Sequence, residues 1–116
     1  MENYTIEKLF FENSSLDWEQ VGEGVTRAVI AYHAKAMLVK VAFEKGVVGA
    51  VHHHFHTQIS YVEKGVFEVH INDEIKILQT GNSFYVPPNA PHGVLCLEAG
   101  VLIDMFSPMR EDFLAT

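Results

Sequence analysis

The sequence predicts an all-β fold, one small barrel or sandwich of short strands, on three observations. From Gly24 onward apolar and polar residues alternate, as they do where successive side chains of a strand point to opposite faces. Turn-forming residues cut that alternation at intervals of roughly ten, the rhythm of all-β domains. Little room is left for helix.

Residues 1–23 are the least regular part, and Ser14-Ser15-Leu16-Asp17-Trp18 reads as a short turn or one helical turn ahead of the barrel. Met37, Val39, Val41 and Phe43 alternate with Leu38, Lys40, Ala42 and Glu44, which makes a half-buried strand. Phe67, Val69 and Ile71 alternate with Val66, Glu68 and His70 in the same way. Glu63-Lys64-Gly65, Asn72-Asp73-Glu74 and Thr80-Gly81-Asn82 are expected to close hairpins, because Gly, Asn and Asp enter tight or left-handed backbone conformations at little cost. Pro87, Pro88 and Pro91 mark a rim loop or frayed edge, since proline cannot donate to a ladder. The last strand is expected from Gly100 to Phe106.

A chain of 116 residues, 48% of them apolar, is expected to form one domain over residues 1–116. Fifteen acidic against eight basic side chains give a formal charge of −7, which repels phosphate backbones and argues against nucleic-acid partners. The single cysteine, Cys96, has no partner for a disulfide or a thiolate zinc cluster and is expected to be a small buried side chain. Residues 1–12 carry Glu2, Glu7 and Glu12 and lack the basic-then-apolar order of a signal peptide, and no run reaches membrane-spanning length. A cytoplasmic protein without a membrane partner is the expectation.

Four of the seven histidines fall in five positions, at 52, 53, 54 and 56. On an extended backbone His52 and His54 converge while His53 faces away, and His56 joins them if the extension runs on. Neutral imidazoles are the commonest ligands of zinc, nickel, iron and copper, and two of them leave a first-row ion short of partners. Gln58 can add a carbonyl oxygen, and His92, directly after Pro91, a third imidazole. The expected set is three histidines and one amide around one divalent transition metal ion, with zinc, nickel, iron and manganese left open. Asp104 stands in the apolar run Gly-Val-Leu-Ile-Asp-Met-Phe, where an ionisable group is costly unless paired. Alternation puts Leu102, Asp104 and Phe106 on one face, read as the barrel lumen. Arg110 follows closely enough to reach the barrel mouth if the prolyl turn folds back, with a surface ion pair to Glu111 or Asp112 as the alternative.

Gly46, His52, His54, Gln58 and Gly65 keep the intervals of the first motif of the cupin superfamily, and Gly81, Pro87, Asn89, His92 and Cys96 resemble its second. Asn89 stands where that motif has glycine and Cys96 where it has asparagine. The resemblance, over 46–65 and 81–96, implies a single-domain cupin, a double-stranded β-helix or jelly-roll barrel. Gln58 in place of the more frequent glutamate implies a more Lewis-acidic ion. The stretch from Trp18 to Val25, His52 to Gly65, and the ending Val101 to Leu114 are similar to the small pectin-degradation (KdgF-type) cupins. That similarity implies ring opening of 4,5-unsaturated uronates from pectate and alginate lyases into an open-chain keto-deoxy uronate, with the family's aspartate, phenylalanine and arginine at Asp104, Phe106 and Arg110. The implied partner is a small anionic sugar, and small cupins are often homodimers. The alternatives are a non-haem metal cupin oxygenase or isomerase acting on another small molecule, and a cupin that binds a sugar or metal without turnover. His56 and Tyr61 are left as further contacts of open role.

Overall fold

The computed structural model describes residues 7–114. Glu2 of the N-terminal acids, and both ends of the expected domain span, lie outside them. A 3₁₀ turn (Asn13–Ser15) precedes eight strands. These are β1 (Glu19–Gly22), β2 (Val25–His33), β3 (Ala36–Phe43), β4 (Val48–His52), β5 (Thr57–Ile71), β6 (Glu74–Gln79), β7 (Ser83–Val86) and β8 (His92–Ser107). A second 3₁₀ turn (Glu111–Phe113) follows. No helix among the described residues is long and apolar enough to cross a membrane.

All pairings are antiparallel, in the order β1-β2-β3-β8-β5-β6, with β4 on β8 and β7 on β5. The two long strands β5 and β8 form the spine. Their first and last parts pair with each other, Thr57 with Ser107 and Ile71 with His92. The expected alternation holds: Met37 and Val39 are buried on β3, Phe67 and Val69 on β5, and Leu102, Asp104 and Phe106 on β8.

Three expectations are corrected. Glu63-Lys64-Gly65 is not a hairpin turn; β5 continues through it as an irregular bend, with register shifts on either side. Gly65 has φ 91° and lies against Gly100 of β8, so a Cβ at Gly65 would sit 2.6 Å from the Gly100 Cα and one at Gly100 would collide with the Lys64 carbonyl oxygen. Two opposed glycines therefore let both strands bend together and stay paired, where the same residues in isolation read as a turn. For the same reason the strand expected from Gly100 is the second half of β8. The turn at Thr80-Gly81-Asn82 exists, with Gly81 at φ 94°, but it joins β6 and β7 to separate parts of β5 instead of pairing them with each other. The turn at Asn72-Asp73 does close the β5–β6 hairpin, with Asn72 at φ 54°.

One apolar cluster, Val62, Phe67, Val69, Leu78, Cys96 and Leu102, fills one part of the barrel. Cys96 is fully buried and free, as expected. A second cluster, Met37, Val39 and Phe106, packs with Met109 and Phe113 from the returning C-terminal segment. Between them the inward positions turn polar.

Candidate functional site

His52 ends β4 opposite His92, which begins β8. His54 lies in the loop that follows, and its carbonyl accepts the Asn89 N–H at 2.7 Å. Asn89, at φ 65°, takes the left-handed conformation that its substitution for glycine required. The proline loop is thereby tied to the histidine loop. One donor atom from each of His52, His54 and His92 lies within 4.8 Å of the others.

The proton positions suit a cation. The Nδ1 atoms of His52, His54 and His92 face the carbonyl oxygens of Ala50, His56 and Ala90 at 3.0, 3.1 and 2.9 Å. A carbonyl only accepts, so each Nδ1 carries the hydrogen and each neutral ring keeps its lone pair on Nε2. The His92 Nε2 is buried with no hydrogen-bond partner among the described residues. The Gln58 Oε1 approaches the His54 Nε2 to 2.9 Å, two lone pairs with no hydrogen between them. Orphaned and opposed acceptors of this kind are what a metal ion would satisfy, and an imidazole–amide set accepts a divalent transition ion. Burial lowers the pKa of His92 to about 4 and lowers that of His54, which keeps both rings in the ligating form at neutral pH.

Behind Gln58 the polarity continues inward. The Gln58 Nε2 donates to the Ser60 Oγ at 2.9 Å, and the Ser60 hydroxyl donates to the Asp104 Oδ1 at 2.6 Å. Ser60 is fully buried and Asp104 nearly so. Burial raises the pKa of Asp104 to about 6, against the lowering effects of the Ser60 hydrogen bond and the Arg110 charge.

His52, Gln58, His92, Asp104, Phe106 and Arg110 line one cavity of about 250 Å³, which suits one small ligand better than a polymer chain. Arg110 does fold back to the mouth, its guanidinium 4.3 Å from the Phe113 ring centroid and 5.1 Å from that of Phe106. The alternative reading of an ion pair is also realised: Arg110 Nε and Nη2 donate to both oxygens of the exposed Asp112, at 3.0 and 2.9 Å. His56 is buried beside the cluster, stacked on Phe55 with centroids 4.0 Å apart, and is not one of the three converging rings. His53 is exposed, as the alternation required. Tyr61 is 46% exposed on the opposite face of β5 from Ser60, so it is no cavity contact.

Two residues went unnoticed in the sequence. Ser60 is one serine among strand residues; its only signal is a small polar side chain on the same face as Gln58 and Val62. Arg27 lines the cavity, pairs with Glu19 at 3.0 Å and lies 3.8 Å from the Phe113 ring centroid; nothing near it in the sequence links it to the C-terminal segment.

The cupin domain family model matches residues 39–106. The chain is 46% identical over 107 residues to the pectin degradation protein KdgF of Dickeya dadantii (strain 3937), covering 90% of this chain and 97% of that protein. Its fold superimposes on KdgF from Halomonas sp. with a TM-score of 0.89 at 39% identity, covering 92% and 99% of the two chains. It superimposes equally well, at 0.89 and 43% identity, on an RmlC-like cupin from Shewanella frigidimarina NCIMB 400, covering 92% and 96%.

Proposed function

Because the chain belongs to the cupin family, we propose that it is a metal-dependent enzyme that opens 4,5-unsaturated uronates, the sugars released by pectate and alginate lyases, into an open-chain keto-deoxy uronate. The observation that carries this reading is a small cavity lined by His52 and His92 of the three-histidine cluster together with a buried carboxylate and a guanidinium. The similarity to two proteins named KdgF supports the substrate class.

His52, His54, His92 and the Gln58 carbonyl would hold one divalent transition metal ion. Bound there, such an ion supplies Lewis-acid stabilisation for oxyanion charge on the substrate. Opening the ring removes the proton of the anomeric hydroxyl, breaks the bond from that carbon to the ring oxygen, and delivers a proton to carbon 4 as the enol becomes a ketone. Asp104 moves those protons. Its pKa of about 6 leaves it ionised at neutral pH, able to take a proton, and more willing to keep one briefly than an aspartate at 3.8. Phe106 offers a flat apolar wall for the sugar ring. Arg110 binds the uronate carboxylate, through its Nη1 or by exchange with Asp112 at Nε and Nη2.

We read residues 1–116 as one domain, placed in the cytoplasm, and assembled as a homodimer. Support for the dimer is an outward row in register across four strands: Leu38 on β3, Met105 on β8, Ile59 on β5 and Tyr85 on β7. Leu38, Ile59 and Tyr85 of this row are 38%, 46% and 54% exposed, a continuous apolar face of the kind that a second copy covers. Light scattering decides the assembly.

The activity test is the loss of ultraviolet absorbance from an unsaturated monouronate, before and after chelation. Acceleration over the uncatalysed rate that disappears with chelator and returns with added metal is the expected result. A metal-loaded, folded protein that leaves the background rate unchanged rules the activity out.

A further inference from the structure

The geometry points to Ser60 as a positioning residue: its single hydroxyl proton, given to Asp104, turns the Gln58 amide so that its oxygen faces the histidines, and this is why an amide rather than a carboxylate occupies position 58. The inference rests on the metal-centre reading and is independent of the uronate reaction.

A serine hydroxyl has one hydrogen to give and lone pairs to accept with. At 2.6 Å from Asp104, the fully buried Ser60 spends its hydrogen on that carboxylate. Toward Gln58, 2.9 Å away, it can then only accept. The side chain at 58 must therefore present a donor to Ser60 and an acceptor to the cluster, and glutamine does both. The chain of hydrogen bonds runs in one direction, Gln58 to Ser60 to Asp104. A glutamate at 58 would set a second carboxylate oxygen against Ser60 with no hydrogen between them, and would add a like charge two hydrogen bonds from Asp104. Exchanging the charges reverses the chain instead of breaking it. In the Gln58→Glu/Asp104→Asn protein the asparagine amide donates to Ser60 and Ser60 donates to the glutamate, with net charge unchanged.

The test is the affinity for Zn²⁺ alone, measured by competition with a chromophoric chelator at mildly alkaline pH, with thermal melts of each protein as a folding check. Ser60→Ala, which frees the amide to turn, is expected to weaken binding about 10-fold or more, the usual effect of losing a group that orients a ligand. Ser60→Thr, which keeps the hydroxyl, stays within a few-fold of the unmodified protein. Asp104→Asn is expected to tighten binding by about 10-fold in a Gln58→Glu background and not in the original one. Adding Ser60→Ala to that pair abolishes the difference if the hydroxyl carries it, whereas direct repulsion between two carboxylates would survive. Ser60→Ala binding as tightly as the unmodified protein, or Asp104→Asn acting alike in both backgrounds, overturns the inference and leaves the metal centre standing. An unmodified protein that takes up no Zn²⁺ overturns the metal-centre reading and the inference with it.

Discussion

The two long strands carry two kinds of interior. On β5 the inward positions are Gln58 and Ser60 before the bend, and Phe67 and Val69 after it. On β8 the buried His92 opens the strand, the apolar Cys96 follows, and Asp104 stands beyond the bend between Leu102 and Phe106. Val62 and Leu102 are where the two kinds meet, both in the apolar cluster. The apolar part gains free energy from every side chain it removes from water. The polar part has to satisfy each group individually, and does so with hydrogen bonds between its own members and with lone pairs left for an ion. Along β5 stability and chemistry are therefore assigned to different stretches, and the paired glycines at 65 and 100 let β5 and β8 bend together.

Substitutions in the two parts should separate stability from turnover. The largest effect is expected in the apolar part: Phe67, fully buried, packs edge-on against Phe43 with centroids 5.4 Å apart. Phe67→Ala should cost about 3–5 kcal/mol in urea unfolding. A loss below about 1 kcal/mol would mean that this cluster does not carry the fold.

In the polar part, Asp104→Asn should lower kcat on an unsaturated uronate by about 100-fold or more, with a much smaller change in KM. Unaltered turnover would remove Asp104 from proton transfer. The same substitution should raise the stability of the metal-free protein, with a pH dependence whose sign follows from burial. The folded carboxyl titrates near 6 and the unfolded one near 3.8. As pH rises through that window the unfolded state gives up its proton while the folded state holds on to it, so the folded wild-type protein loses stability; the loss is complete above pH 6. Thermal melts should therefore show the Asn variant ahead above pH 6 and the two proteins converging below pH 3.8. A constant gap across that range would mean that the carboxyl is not burdened by burial.

The smallest effect is expected at the cavity mouth. Asp112 is held below the usual carboxylate range by its hydrogen bonds to Arg110, and its side chain is 60% exposed. Asp112→Asn loosens the bidentate pair, and should lower KM for the uronate a few-fold if the substrate carboxylate takes that place. A higher KM would instead make Asp112 the group that aims the guanidinium.

Much of the histidine cluster was legible because side chains on or beside strands keep sequence spacing: His52, His54 and Gln58 are close along the chain, and His92 follows the proline loop that is tied to the His54 carbonyl. The face of Asp104 and Phe106 was legible from alternation. The bend was not, since Gly65 and Gly100 take their meaning from each other, 35 positions apart in sequence. Ser60 was invisible for a related reason: its partner Asp104 lies 44 residues away.

By itself the sequence determined the alternation of the strand segments at 37–44, 66–71 and 100–106, two of the turns that interrupt the strands, at 72–74 and 80–82, in kind if not in pairing, and the chemical types gathered at positions 52, 54, 58, 92 and 104, because all of these follow from local periodicity and from what each side chain can donate or accept. Tertiary structure alone decided that β5 and β8 run on through their bends, that Arg110 returns to the mouth with Asp112 in its fork, and that one serine proton sets the direction of the Gln58–Ser60–Asp104 chain, because hydrogen-bond direction and close backbone approach are properties of groups brought together only when the chain folds.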